Sequence, residues 1–162
     1  AAQALRVVLD AHPLDRVVED AVRHIMDGFA DLPVHADVPE AIAALRAGGI
    51  RLVTLSNGSG AVAEALFDRA GVRGHFEALL SVEDAALWKP AAAAYAHALE
   101  RCDAHPMDAM LVAVHPWDID GAGRAGLATA WVNRAGGPYP AHFRAPDLEV
   151  RSLTELADRL VG

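Results

Sequence analysis

Apolar residues recur at helical spacing through Ala4–Ala11 and again through Leu14–Phe29, with Pro13 between them, which predicts two helices at the start of the chain. Asp31, Leu32 and Pro33 close that section. Val38 and Pro39 then lead into a third helix over Glu40–Ala47, stopped by Gly48 and Gly49. Beyond this point short apolar runs alternate with amphipathic ones. Ile50–Leu55 predicts a strand, Ser59–Ala70 a helix ended by Gly71, and Phe76–Ser81 a second strand. Pro90–Arg101 predicts a helix with proline in its first turn, and Met110–Val114 a third strand. Asp118–Ala125 reads as a short helix and Ala128–Val132 as a fourth strand. A polar loop from Arg134 to Asp147 precedes a last helix, Ser152–Val161, which Ser152 and Glu155 open as a capping box.

Strand–helix alternation of this kind predicts an α/β domain: a Rossmann-like parallel sheet with helices on both faces. Ligands bind such sheets at the carboxyl ends of the strands. The residues to inspect are therefore Ser56, Asn57 and Gly58, then Ser81, Val82 and Glu83, then His115, Pro116, Trp117 and Asp118.

Composition narrows the picture. A length of 162 residues suits one domain, with apolar residues making up 53% of the chain and too interrupted by charge for a membrane span. Fourteen Lys+Arg against twenty-two Asp+Glu give a net charge of −8, which disfavours nucleic acid as a partner. The single cysteine, Cys102, excludes an internal disulfide framework and a cysteine-based zinc site. The first residues lack a signal-peptide layout, so the expected location is cytoplasmic. Lysine occurs once, at Lys89, while every other long basic side chain is arginine. A lone ammonium in so Arg-rich a chain marks a site candidate, because the two side chains are not interchangeable beside a carboxylate.

Three constellations could carry chemistry. Ser56–Ser59 runs from a strand into a helix N-terminus, where small polar side chains and free amides make an anion cradle, or simply an ordinary cap. Lys89 and Pro90, with Tyr95 beyond them, put an ammonium at the strand-end face. Asp118, after His115 and Trp117, could cap its helix, pair with Lys89, or both. Other patterns are decoys. Gly121, Gly123 and Gly126 spell a dinucleotide-binding fingerprint, but no strand directly precedes them and no full helix follows. Ser59, His115 and Asp118 lack the glycines of a nucleophile elbow, and the eight histidines show no metal-binding spacing.

In this order and spacing the three constellations resemble the haloacid dehalogenase superfamily, nearest to its 2-haloacid dehalogenases. Ser56–Ser59 is similar to the family's second motif, Lys89, Pro90 and Tyr95 to its third, and Trp117, Asp118 and Thr129–Arg134 to its fourth. The resemblance implies a haloacid dehalogenase-like core over residues 33–162 and the last helices of an α-helical cap over residues 1–32. It implies hydrolytic dehalogenation of small 2-haloacids through an aspartyl ester, with no metal or other cofactor, in a homodimer. Lys89, Asp118, Ser56, Asn57 and His115 take the catalytic positions. Ser56, Asn57, Gly58, Tyr95 and Trp117 take the substrate-binding ones, with Tyr95 also supporting Lys89.

Two departures accompany the resemblance. The family's nucleophilic aspartate follows a first strand that has no counterpart here; Asp10 follows Val7–Leu9 but lies in a helical pattern. That strand belongs between those ending at Ser56 and Val114. The expectation is an incomplete sheet, completed by an N-terminal part or by a neighbouring chain. His115 also stands where these dehalogenases carry asparagine. The rival readings are a magnesium-dependent phosphatase of the same superfamily, for which Val114 occupies a metal-ligand position, and a non-catalytic, partner-binding fragment.

Overall fold

Backbone pairing turns the short apolar runs into parallel strands, and the stretches between them into the helices that cover those strands. The computed structural model describes residues 2–11, 17–82 and 87–162, in two compact units, Ala1–Val34 and His35–Gly162. Pro13, Leu14 and Glu83, named above, lie outside the described residues.

The first unit contains α1 (Ala2–Asp10) and α2 (Val18–Ala30), joined by a bidentate ion pair from Arg6 to Glu19 at 2.6 and 3.0 Å. Asp10 is the last residue of α1, so it does not follow a strand.

The second unit opens with α3 (Val38–Ala47), then β1 (Val53–Ser56), α4 (Gly60–Arg69), β2 (Ala78–Ser81) and α5 (Ala92–Arg101). It continues through β3 (Met110–Ala113), α6 (Pro116–Arg124), β4 (Ala128–Val132), β5 (Leu148–Val150) and α7 (Leu153–Val161). Helices α3 and α6 begin two residues before their predicted starts, because Pro39 and Pro116 sit in the first turn, where a missing N–H costs nothing. Pro90 behaves differently. The Lys89–Pro90 peptide is cis, Ala91 is extended, and α5 starts only at Ala92, so the expected proline in its first turn is corrected. Strand β5 has no counterpart among the sequence expectations; three residues are too few for alternation to register. Among the described residues no helix is long and apolar enough to cross a membrane.

All strand pairs are parallel, but the five strands do not form one sheet. β1 pairs with β2 in register from Val53 opposite Ala78 to Ser56 opposite Ser81. β4 lies between β3 and β5 in a second sheet. Among the described residues, the edges of β1 and β3 facing away from β2 and β4 pair with no strand. Exposure follows this arrangement. Thr129–Val132 of the flanked strand β4 is buried throughout, while Val53 on β1 and Val112 on β3 are exposed.

The core lies on one face of the three-stranded sheet. Ala130 and Val132 point there with period two and meet Val150 and Leu156, packed by Met110, Leu148 and Leu153. Helix α3 adds Ala41 and Leu45 against Ala157 of α7. Ser152 caps α7 through Oγ, which accepts from Glu155 N at 3.0 Å. The returning arm of the capping box reaches one residue further than expected: Glu155 Oε2 accepts from Arg151 N at 2.8 Å. Asp37, which sequence reasoning passed over, also serves α7. Its Oδ2 accepts from Leu153 N at 2.7 Å, and its Oδ1 lies 3.0 Å from Arg134 Nη1.

Candidate active site

At the carboxyl end of β1 the chain turns sharply into α4. Ser56 Oγ accepts from Gly58 N at 2.9 Å, and Gly58 O accepts from Ser81 Oγ at 2.9 Å, which ties the turn to the end of β2. Asn57 reaches across to the segment after β2. Its Oδ1 accepts from Lys89 N at 3.0 Å and its Nδ2 donates to Lys89 O at 3.1 Å. One donor and one acceptor of the amide thus fix the Lys89 backbone, and this is a positioning task before it is a substrate-binding one.

Lys89 Nζ donates to Asp118 Oδ2 at 2.6 Å, with side-chain exposures of 9% and 5%. The other carboxylate oxygen, Oδ1, accepts from Tyr95 Oη at 2.7 Å. Asp118 therefore holds an ammonium on one oxygen and a phenol on the other, as a buried carboxylate must have partners to remain charged. Burial pushes the Tyr95 phenol well above its ordinary value, and the bond to Asp118 pushes it further, so Tyr95 remains a donor. Its side chain is 1% exposed, and its hydroxyl meets Asp118 and not Lys89.

The loop after β3 presents the remaining candidates. His115 is exposed at the N-cap of α6, and its ring stacks on Trp117 with centroids 5.3 Å apart. Val114, 48% exposed, is fixed through its carbonyl by Trp131 Nε1 at 3.0 Å. Tyr139 packs edge-on against Trp131, and its hydroxyl donates to Arg144 O at 2.9 Å and Pro116 O at 3.3 Å. Thr129 and Asn133, part of the fourth motif, have scaffold roles. Thr129 Oγ1 and N both donate to Asp147 Oδ2, and Asn133 Nδ2 bonds Gly137 O and Glu149 Oε1.

The decoys resolve with the same geometry. Asp118 is taken by Lys89 and Tyr95, so it does not orient His115 toward Ser59, which occupies the N-cap position of α4. Gly121 and Gly123 lie inside α6 and cradle no phosphate at its start. Among the described residues no three His, Cys, Asp or Glu side chains gather as a metal site.

Comparison with known proteins identifies the family. The family profile described as haloacid dehalogenase-like hydrolase matches residues 2–126. An (S)-2-haloacid dehalogenase of Pseudomonas sp. strain YL is 31% identical over 134 residues, which cover 83% of this chain and 58% of that protein. Haloacetate dehalogenase H-2 of Moraxella sp. strain B is 33% identical over 132 residues, covering 82% and 59%. A crystal structure of a dehalogenase with an intermediate complex superposes with a TM-score of 0.91 at 27% identity, over 99% of this chain and 71% of that one. The chain thus spans somewhat under two thirds of the length of these curated relatives. With motifs, fold and relatives in agreement, the chain belongs to the haloacid dehalogenase-like hydrolases.

Proposed function

We propose that this chain carries the charge-stabilising and substrate-binding part of a hydrolytic dehalogenase acting on small 2-haloacids. The observation that carries the reading is the buried Lys89–Asp118 pair at 2.6 Å, set at the strand ends beside the Ser56–Gly58 turn. The nucleophile is an aspartate carboxylate arriving on a strand that lies between β1 and β3, whose facing edges have no partner among the described residues. One carboxylate oxygen attacks C2 of the haloacid, and the C–O bond forms as the C–halogen bond breaks and halide leaves with its electron pair. Water then adds to the ester carbonyl, releasing a 2-hydroxy acid, a proton and the restored carboxylate.

Each residue has a part in this reading. Lys89 keeps the incoming carboxylate ionised and offsets charge at the reacting centre with its two remaining N–H donors, while Asp118 fixes the ammonium. Tyr95 positions Asp118. The Ser56 hydroxyl and the second N–H of the Asn57 side-chain amide receive the substrate carboxylate, which the Gly58 amide joins on release from Ser56 Oγ; Trp117 walls the apolar side, and His115 faces the hydrolytic water. The rival phosphatase needs an oxygen ligand where Val114 presents an aliphatic side chain, which does not bind a hard cation.

The test is halide release from 2-chloropropionate by the chain alone and by the chain with an N-terminal strand bearing the aspartate. Release only when the strand is supplied, and its loss in Lys89→Met, is the expected result. No release and no trapped ester with the strand present would overturn the reading. Magnesium-dependent phosphate release would transfer it to the phosphatase.

A further inference from the structure

The proposed chemistry leaves one sequence pattern unused, the glycines at 121, 123 and 126. Each has a different physical reason. Gly126 has φ of +90°, a conformation that strains any L side chain. At Gly123 an added Cβ would meet only the flexible end of Arg144, with Cδ at 3.0 Å and Nε at 3.1 Å. At Gly121 it would stand 2.6 Å from Tyr95 Oη, 2.7 Å from Pro90 Cβ and 3.1 Å from Pro90 O. These are rigid neighbours. Tyr95 is buried and bonded to Asp118, and Pro90 is a ring joined directly to Lys89.

Asp118 and Gly121 are three residues apart on α6 and share a face of the helix. The face that presents Asp118 to Lys89 is therefore the one that must approach the Lys89–Pro90 turn. We propose that Gly121 is a positioning residue for the Lys89–Asp118 pair. The hydrogen in place of a side chain lets α6 lie close enough for Lys89 Nζ and Tyr95 Oη to hold the two oxygens of one carboxylate. A methyl group there displaces Tyr95 Oη, the Pro90 ring or the helix, and each displacement separates Asp118 from a partner. The absent side chain works against the helix itself, since alanine is favoured over glycine in a helix interior. This proposal rests on reading the Lys89–Asp118 pair as the centre of the site, but its test requires no turnover.

Lys89 is the only lysine, so isotope-labelled lysine gives a single side-chain ammonium signal by nuclear magnetic resonance. Gly123→Ala, which adds the same methyl to the same helix against a yielding neighbour, is expected to leave that signal in place. Gly121→Ala is expected to shift or broaden it while circular dichroism remains native. An unchanged ammonium signal in Gly121→Ala would overturn the proposal. Should that variant not fold, the unmutated chain still decides: nuclear Overhauser contacts from the Gly121 α-protons to the Pro90 β-protons and the Tyr95 ring support it, and their absence overturns it. A chain that passes these tests yet releases no halide with the strand supplied would fail the functional reading alone.

Discussion

Asn57 grips Lys89 by the backbone on both sides of its Cα, accepting from Lys89 N at 3.0 Å and donating to Lys89 O at 3.1 Å across 32 residues of chain. A side-chain amide here does what a neighbouring strand would do, offering one acceptor and one donor in parallel. Asn57→Ala removes both bonds and leaves two backbone groups seeking water. The expected cost is about 1–3 kcal/mol, read by urea unfolding, with the Lys89 ammonium signal moving as the segment loosens. Asn57→Asp keeps only the acceptor and should fall between the two.

The Lys89–Asp118 pair is expected to be strongly asymmetric under mutation. Lys89→Met leaves a buried carboxylate with only a phenol for company, and breaking such a pair costs on the order of 3–5 kcal/mol. Adding Asp118→Asn removes the stranded charge. The double variant is then more stable than Lys89→Met alone, by about 1 kcal/mol or more. Equal midpoints for the single and double variants in thermal unfolding would contradict the buried pair.

Tyr95→Phe leaves Asp118 Oδ1 without its phenol donor and should cost about 1–3 kcal/mol at neutral pH. The folded phenol is raised above its ordinary value of about 10, so its contribution is present below that pH and is lost as pH rises through the folded value. Alkaline titration followed by phenolate absorbance is expected to show Tyr95 ionising only together with unfolding. In Tyr95→Phe the phenolate absorbance falls to that of Tyr139 alone.

Asp37 titrates in the opposite sense. Burial raises its carboxyl, but the amide of Leu153 and the Arg134 guanidinium outweigh burial and hold it below the usual range. Its contribution is therefore complete above the unfolded carboxylate value of about 4 and fades as pH falls through the lower folded value. Asp37→Asn is expected to lose about 1.5–3 kcal/mol near neutrality. The gap between variant and native chain in urea midpoints should narrow in acid.

Much of the site could be read before any coordinates, for a local reason. Ser56 and Asn57 stand at the end of β1 and Asp118 just after β3, so strand ends mark them as candidates, and Lys89 bonds both Asn57 and Asp118 although they are far apart in sequence. The single lysine needed no structural context to stand out. The relationships that were not legible depend on distances between elements. Tyr95 could be assigned to the site, but that it holds Asp118 follows from how α5 lies on α6. Gly121 looks like part of a nucleotide pattern until Pro90 and Tyr95 are seen beside it. Pro90 reads as a helix start, yet Ala91 stays extended and delays α5. Strand β5 is held by pairing with β4, which no three-residue pattern announces.

The bond from Asp37 to Leu153 spans 116 residues, and it bears on how the chain is made. Synthesis is vectorial, so α3 leaves the ribosome long before α7 exists. At ordinary elongation rates that interval is on the order of 10 s. Throughout it Ala41 and Leu45 lack Ala157, and the Asp37 carboxylate lacks the α7 amide. Closing so long a loop is entropically costly, which makes α7 docking a late event in folding. The nascent chain therefore carries an uncovered apolar stripe on α3 until α7 has been made.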